Sequence, residues 1–145
     1  MTWRLVTVGK PALAYARAGR DEYLARLKPW GRIETLTVKA SDSARESAAL
    51  LKASEGCLRL LLDEQGKQMT SRAFAAKLGT WQQAGRPIAV ILGGASGHDQ
   101  SLRDAADFVW SLGLATLQHE LALVVALEQI YRAHTILAGH PYHRD

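Results

Sequence analysis

Cysteine is almost missing from this 145-residue chain: Cys57 stands alone, so no disulfide can close within it. A lone thiol suits a reducing compartment, and a cytoplasmic location is expected; beside "LRLLL" the thiol reads as buried and inert. Long apolar runs are also missing. The longest near the C-terminus, "LALVVAL" (121–127), is far short of the ~20 residues that span a bilayer, so no membrane partner is expected. The opening "MTWRLVTVGK" lacks a basic leader, an apolar centre and a cleavage site, which argues against secretion. No block of lysine and arginine exists, although 18 basic against 14 acidic residues leave a net charge of +4. A nucleic-acid partner is compatible with that excess, but folded surface rather than a basic tail must hold it. Repeats, low-complexity stretches and linkers are absent, and one domain over 1–145 is expected.

What is present alternates. Strand patterns at 3–8, 32–38, 57–62, 87–92 and 108–112 are separated by helical patterns at 11–27, 41–53, 70–85 and 100–106, and a long helix closes at 119–139. Gly19 is a weak point within the first helix, and "DEQGK" (63–67) reads as a turn. "PIAVIL" (87–92) is apolar throughout, as a strand buried on both faces of a parallel sheet is. The reading is α/β, with a mostly parallel sheet covered by helices on both faces. Ligands bind such sheets at the carboxyl ends of the strands, which singles out the loops after Leu62, Leu92 and Leu112.

Two of those loops carry their own signals. "ILGGASG" sends a buried strand straight into Gly93, Gly94 and Gly97, where the backbone can approach a ligand closely. A plain strand-to-helix turn accounts for the same residues. The spacing fits neither the dinucleotide fingerprint nor a P-loop, which disfavours a dinucleotide or triphosphate and leaves an adenosine held by backbone groups. "LGLATLQHEL" (112–121) has no charge before Glu120, and a neutral loop with free N–H and C=O groups suits an adenine edge; an ordinary connection explains it as well. In the last helix Glu128 and Arg132 stand four apart and can pair.

The end of the chain, "HPYHRD" (140–145), concentrates two histidines, a tyrosine and an arginine. It reads as a solvated tail, a metal site or part of an active site. His140 and His143 have H-x-x-H spacing, with His119 and His134 upstream, but zinc needs three or four ligands, and neither the distant cysteine nor a second tight pair supplies them. No metal is expected. A Ser-His-Asp arrangement is compatible with the spacing, without the G-x-S-x-G elbow.

Taken together, "LLDEQGK", "ILGGASG", "WSLGLATLQHEL", "EQIYRAHTI" and "GHPYHRD" resemble the RlmH (YbeA) family of SPOUT-class methyltransferases, in order and spacing, over nearly the whole chain. The resemblance implies a C-terminal trefoil knot, although knots are otherwise essentially absent from proteins. It implies S-adenosylmethionine as cofactor, held by Leu62, Gly93, Leu112, Gly113, Leu114, Ala115, Thr116 and Leu117. It further implies a homodimer whose site the partner completes, and methylation of a pseudouridine N3 in 23S ribosomal RNA within the assembled ribosome. Three positions depart from the family pattern: Gln118 replaces a proline, Leu123 an arginine, and His98 the leucine after Gly97.

For that reaction the imide proton on N3 must leave, so a base or a donor to the developing oxyanion is needed. Tyr142, His143 and Arg144 are the catalytic candidates, with Arg132, His140 and Arg144 toward substrate and Glu128–Arg132 as a brace. Two other readings stand beside this one: an RNA- or ribosome-binding module of the same fold with altered catalysis, and a generic nucleotide-binding α/β enzyme.

Overall fold

The computed structural model describes all residues, 1–145. Five strands and five helices follow in the order β1 (Thr2–Val8), α1 (Ala14–Leu27), β2 (Arg32–Val38), α2 (Ser43–Ala53), β3 (Leu58–Lys67), α3 (Ser71–Ala84), β4 (Ile88–Leu92), α4 (Gln100–Ala105), β5 (Phe108–Trp110) and α5 (His119–Ala138), with a 3₁₀ turn at Lys28–Trp30. All pairings are parallel and the sheet order is β2-β1-β4-β3-β5. The α/β reading with helices on both faces holds.

The two-residue period of the strands sorts the core into two layers. Trp3 and Leu5 of β1, Leu58, Leu60 and Leu62 of β3, and Ile88, Val90 and Leu92 of β4 point to one face, where α1, α3 and α5 cover them. Val6, Leu61, Ala89 and Ile91 point to the other, against Leu50 of α2 and Leu102 of α4. β4 is buried at every position, as its unbroken apolar run requires. Cys57 lies 2% exposed in the second layer. α5 is long and apolar enough to cross a membrane by length and composition; here Leu123, Ala126, Leu127 and Ile130 pack into the first layer.

Local chemistry sets the helix starts. Asp42 Oδ1 accepts from Arg45 N–H at 2.8 Å, Thr70 Oγ1 from Ala73 N–H at 3.1 Å, and Asp99 Oδ1 from Leu102 N–H at 3.4 Å, each satisfying a helix-terminal N–H. Gln118 is the cap of α5: its Oε1 accepts from Glu120 and Leu121 N–H at 2.9 and 3.0 Å. The residue that departs from the family's proline thus starts the helix by another device. Gly19, the weak point of α1 by propensity, has a packing reason. A Cβ there would come within 2.8 Å of Val124 Cγ1, so the glycine lets α1 and α5 cross closely.

One expectation is corrected. "DEQGK" is not a turn: β3 runs on to Lys67, which pairs with Trp110 across an irregularity after Leu62. Gly66 permits this, because its Cα lies flat against β5, and a Cβ would meet the Val109 carbonyl at 2.6 Å and Trp110 N at 2.7 Å. The polar composition resembled a turn, but a backbone-on-backbone contact with a strand over 40 residues away decides the conformation.

Candidate active site

The loops after β4 and β5 and the stretch of β3 beyond its irregularity at Leu62 meet around one cavity of about 440 Å³, a volume within the usual range for small-molecule sites. Its wall is made by residues 62–65, 92–95 with 97 and 98, and 110–119 except Leu114, joined by Arg103 and Ala122. Leu62, Gly93, Leu112, Gly113, Ala115, Thr116 and Leu117 therefore all stand at one site. Leu114 does not: it is 92% exposed and turned away from the cavity. Ala115 and Thr116 are exposed as well, but they line the cavity.

Side chains hold the loops open. Thr116 Oγ1 donates to Glu64 Oε2 at 2.9 Å, tying the last loop to β3. Ser111 Oγ donates to Gly113 O at 2.9 Å and accepts from Gly113 N–H at 3.3 Å, closing a tight bend. The backbone N–H groups of Gly94, Ala95 and Ser96, and of Ala115, Thr116 and Leu117, have no acceptor within the chain. Loop donors left unused at a cavity are available to a ligand.

Beneath the glycine loop lies a charged cluster that sequence reading did not find. Asp63, 5% exposed in its side chain, accepts from Arg103 Nε at 2.9 Å and from His98 Nδ1 at 3.2 Å through Oδ2, and from Gln65 N–H at 2.8 Å through Oδ1. Burial pushes its carboxyl up, but the hydrogen bonds from Gln65, Arg103 and His98 outweigh this and hold it below the usual carboxylate range. Burial pulls the His98 ring down against the pull of Asp63. An ionised Asp63 fixes the proton on Nδ1, and His98 Nε2 is left buried without a partner, against Gly93. The signal was present as the departure at His98, but its partners lie 35 residues upstream and five downstream.

The tail forms a second cluster. Tyr142 Oη donates to Glu128 Oε1 at 2.9 Å, and its ring packs edge-on against Tyr131 at 4.7 Å. Glu128 also accepts from Arg132 at 2.6 and 3.0 Å, and the Arg132 guanidinium lies over the Tyr142 ring. The expected Glu128–Arg132 pair thus exists as a brace. Arg132 Nη1 donates to His143 Nδ1 at 3.1 Å, and His143 Nε2 lies 3.0 Å from Asp145 Oδ1. Arg72 of α3 grips Asp145 with two hydrogen bonds at 2.9 and 2.7 Å. Those from Arg72 first, then that from His143, hold the Asp145 carboxyl down at about 2. His140 Nδ1 accepts from Tyr142 N–H at 3.2 Å, shaping the bend. Arg144 makes no hydrogen bond or ion pair.

None of Arg132, His140, Tyr142, His143 or Arg144 lines the cavity of their own chain. Glu128 lies nine residues beyond His119 on α5, which is ~14 Å of helix rise. Arg132 and His140, expected toward substrate, make contacts within the tail: Arg132 with Glu128 and His143, His140 with the backbone of Tyr142. Burial first, then hydrogen bonds with Tyr23 and Glu128, push the Tyr142 hydroxyl well above its ordinary value. No group of three or more His, Cys, Asp or Glu is gathered for a metal. Leu123, where the family carries arginine, is 4% exposed and part of the core.

An open parallel sheet with a cavity at its carboxyl edge, walled by β3 beyond Leu62 and by the loops after β4 and β5, defines a class. A family model described as "Predicted SPOUT methyltransferase" matches residues 1–143. Among solved structures, a probable methylase family protein from Haemophilus influenzae Rd KW20 superposes with a TM-score of 0.61 at 11% identity, covering 99% of this chain and 70% of its own. A Legionella pneumophila methyltransferase structure with bound SAM gives 0.50 at 12% identity, covering 92% and 66%. These likenesses carry the fold. Sequence comparison is narrower. Ribosomal RNA large subunit methyltransferase H of Thermus thermophilus is 42% identical over 144 residues, covering 99% of both chains. The Deinococcus radiodurans protein of the same name is 43% identical over 145 residues, again with 99% of each covered. The chain belongs to the SPOUT methyltransferases and, within them, to the ribosomal RNA large subunit methyltransferase H family.

Proposed function

We propose that residues 1–145 act as one SPOUT methyltransferase domain, S-adenosylmethionine-dependent and cytoplasmic, that methylates N3 of a pseudouridine in 23S ribosomal RNA of the assembled ribosome. The observation that carries the reading is the convergence of Leu62, Gly93 and the 112–117 loop on one cavity, in a chain whose full-length relatives are named for ribosomal RNA methylation.

The cavity suits the cofactor on its own chemistry. Unused N–H groups from two loops offer donors to a neutral adenine edge. Glu64 places a carboxylate on the wall, of the right sign for a ligand bearing a sulfonium and an ammonium. When bound, S-adenosylmethionine supplies a methyl group already activated by positive sulfur. The protein's share is then alignment of donor and acceptor and support of charge as the imide proton leaves. Arg144, the tail cation without a partner, is the group to meet the RNA, at a phosphate or at the developing oxyanion.

The reading includes a homodimer: the tail's residues stay outside their own cavity, and in a dimer they would act at a partner's. Leu13, Tyr15 and Leu121 are 40%, 52% and 36% exposed, and Leu13 N–H bonded to Glu120 at 2.9 Å joins the starts of α1 and α5 there. An apolar patch of this kind suits a subunit contact. The segment 111–118 leaves the outer strand β5 and crosses the carboxyl edge of the sheet to bring α5 between α1 and α3, a route consistent with a threaded, knotted C-terminus.

Thermal shift with S-adenosylmethionine, S-adenosylhomocysteine, NAD and ATP tests the cofactor. Stabilisation by the first pair alone is expected; a response to NAD or ATP alone would favour a generic nucleotide-binding enzyme. Binding of the first pair without methyl transfer to unmodified ribosomes would favour a binding module.

A further inference from the structure

The tail network has a direction that its members alone do not explain. An arginine guanidinium only donates, so Arg132 Nη1 at 3.1 Å makes His143 Nδ1 an acceptor. The ring proton then sits on Nε2 and is donated to Asp145 Oδ1 at 3.0 Å. A doubly protonated ring would set donor against donor at Arg132. The Asp145 side chain is 71% exposed, so burial does not hold it in place. What fixes it is Arg72, whose two parallel bonds at 2.9 and 2.7 Å match the flat fork of a carboxylate. Arg72 stands in the first turn of α3, where Ser71 Oγ donates to Gln129 of α5 at 2.8 Å. The grip therefore comes from a helix start already locked to α5.

We propose that Arg72 is a positioning residue for methyl transfer: through Asp145 it holds the His143 ring as the Nε2–H tautomer and sets the direction in which Arg144 leaves the tail. This rests on the tail acting at the substrate. His143 is then no proton acceptor in this arrangement, since its one lone pair on Nδ1 is occupied by Arg132. It is instead the link by which α3 and α5 aim Arg144. The geometry is a relay of hydrogen bonds from Arg72 through Asp145 and His143 to Arg132, Glu128 and Tyr142, with Arg144 between two fixed neighbours.

The Arg72 and Asp145 side chains are both mostly exposed, and exposed ion pairs contribute at most about 1 kcal/mol to stability, so disrupting this one should lower the melting temperature by no more than about 3 °C. Arg72→Gln and Asp145→Asn are measured for melting temperature, cofactor affinity by calorimetry, single-turnover methylation of unmodified ribosomes, and the ¹⁵N shifts of the His143 ring. The expectation is melting within that range of wild type, wild-type cofactor affinity, a methylation rate lower by about 10–100-fold, and ring shifts moving away from a single Nε2–H tautomer. Arg72→Lys, which keeps the charge and loses the fork, should recover only part of the rate. The exchange Arg72→Asp with Asp145→Arg should recover none, because an arginine at 145 cannot accept from His143. Unchanged rate and unchanged ring shifts in Arg72→Gln would overturn the proposal, as would full recovery in the exchange. His143→Ala and Arg144→Ala, run beside these, test the underlying reading separately. If they are fully active the tail is not part of the active site; if they are inactive while Arg72→Gln is normal, only the role of Arg72 falls.

Discussion

Gly93→Ala is the substitution for which the structure gives the sharpest expectation. A Cβ at this position would lie 2.3 Å from His98 Nε2, 2.7 Å from Cδ2 and 3.2 Å from Cε1. The ring cannot simply retreat, since its side chain is 6% exposed and its Nδ1 is held by Asp63 at 3.2 Å. Overpacking of this kind costs about 1–3 kcal/mol. At roughly 3 °C per kcal/mol for a chain of this size, the melting temperature should fall by about 3–10 °C. Because Gly93 also walls the cavity, affinity for S-adenosylmethionine should fall with it. Removing the ring removes the cause: Gly93→Ala combined with His98→Ala should recover most of the loss, giving a coupling of about 1–2 kcal/mol for residues in direct contact. Urea denaturation of the four members of the cycle, with calorimetry for the cofactor, reads both effects. Wild-type stability and affinity in Gly93→Ala, or a double variant no better than the single one, would refute the reasoning.

Other perturbations follow from the same geometry. His134 is pulled down to about 4, by burial first and then by the Met1 ammonium, and its Nε2 accepts from Trp3 Nε1 at 3.1 Å. Its folded value lies below the unfolded 6.5, so the stability it confers is full above about pH 6.5 and shrinks as pH falls toward 4, a loss of about 3 kcal/mol. Denaturation curves between pH 7 and 4 should show that slope flattened in His134→Gln. Asp63 is depressed as well, so its contribution is present above its unfolded value near 4 and is lost on further acidification. Asp63→Ala should cost about 2–3 kcal/mol at pH 7, below the usual range for a buried pair because Arg103 keeps some solvent, as chemical denaturation will show. Gly66→Ala drives a Cβ into the backbone of β5 at 2.6 Å and should cost about 3 kcal/mol or more, read as a drop in melting temperature together with lost cofactor binding. Deleting residues 140–145 should leave the α/β core folded by circular dichroism and abolish methylation.

Much of this architecture was legible in the sequence because it depends on local periodicity. β4 shows itself as "IAVIL", and the alternating segments fix a parallel sheet whose carboxyl edge is the place to look. The segments after Leu62, Leu92 and Leu112 followed from that rule alone and do line the cavity, although the first is strand rather than loop. What escaped depends on contacts between distant residues. Gly66 looks like a turn glycine until β5 is laid beside it. Gln118 looks like a missing proline until its side chain is seen capping α5. The Asp63–His98–Arg103 cluster joins three elements. For the tail, composition showed that "HPYHRD" was chemically dense but not which groups were already spoken for; only the folded chain shows Tyr142 and Arg132 turned inward and Arg144 left free.

The most direct measurement is methyl transfer from labelled S-adenosylmethionine to ribosomes from cells lacking this modification, with the product mapped by mass spectrometry of the 23S ribosomal RNA. One methyl per ribosome at N3 of a pseudouridine, lost in Arg144→Ala while that variant still binds the cofactor, is the predicted result. Cofactor binding with no methyl incorporated, or a methyl at a base other than pseudouridine, would contradict it.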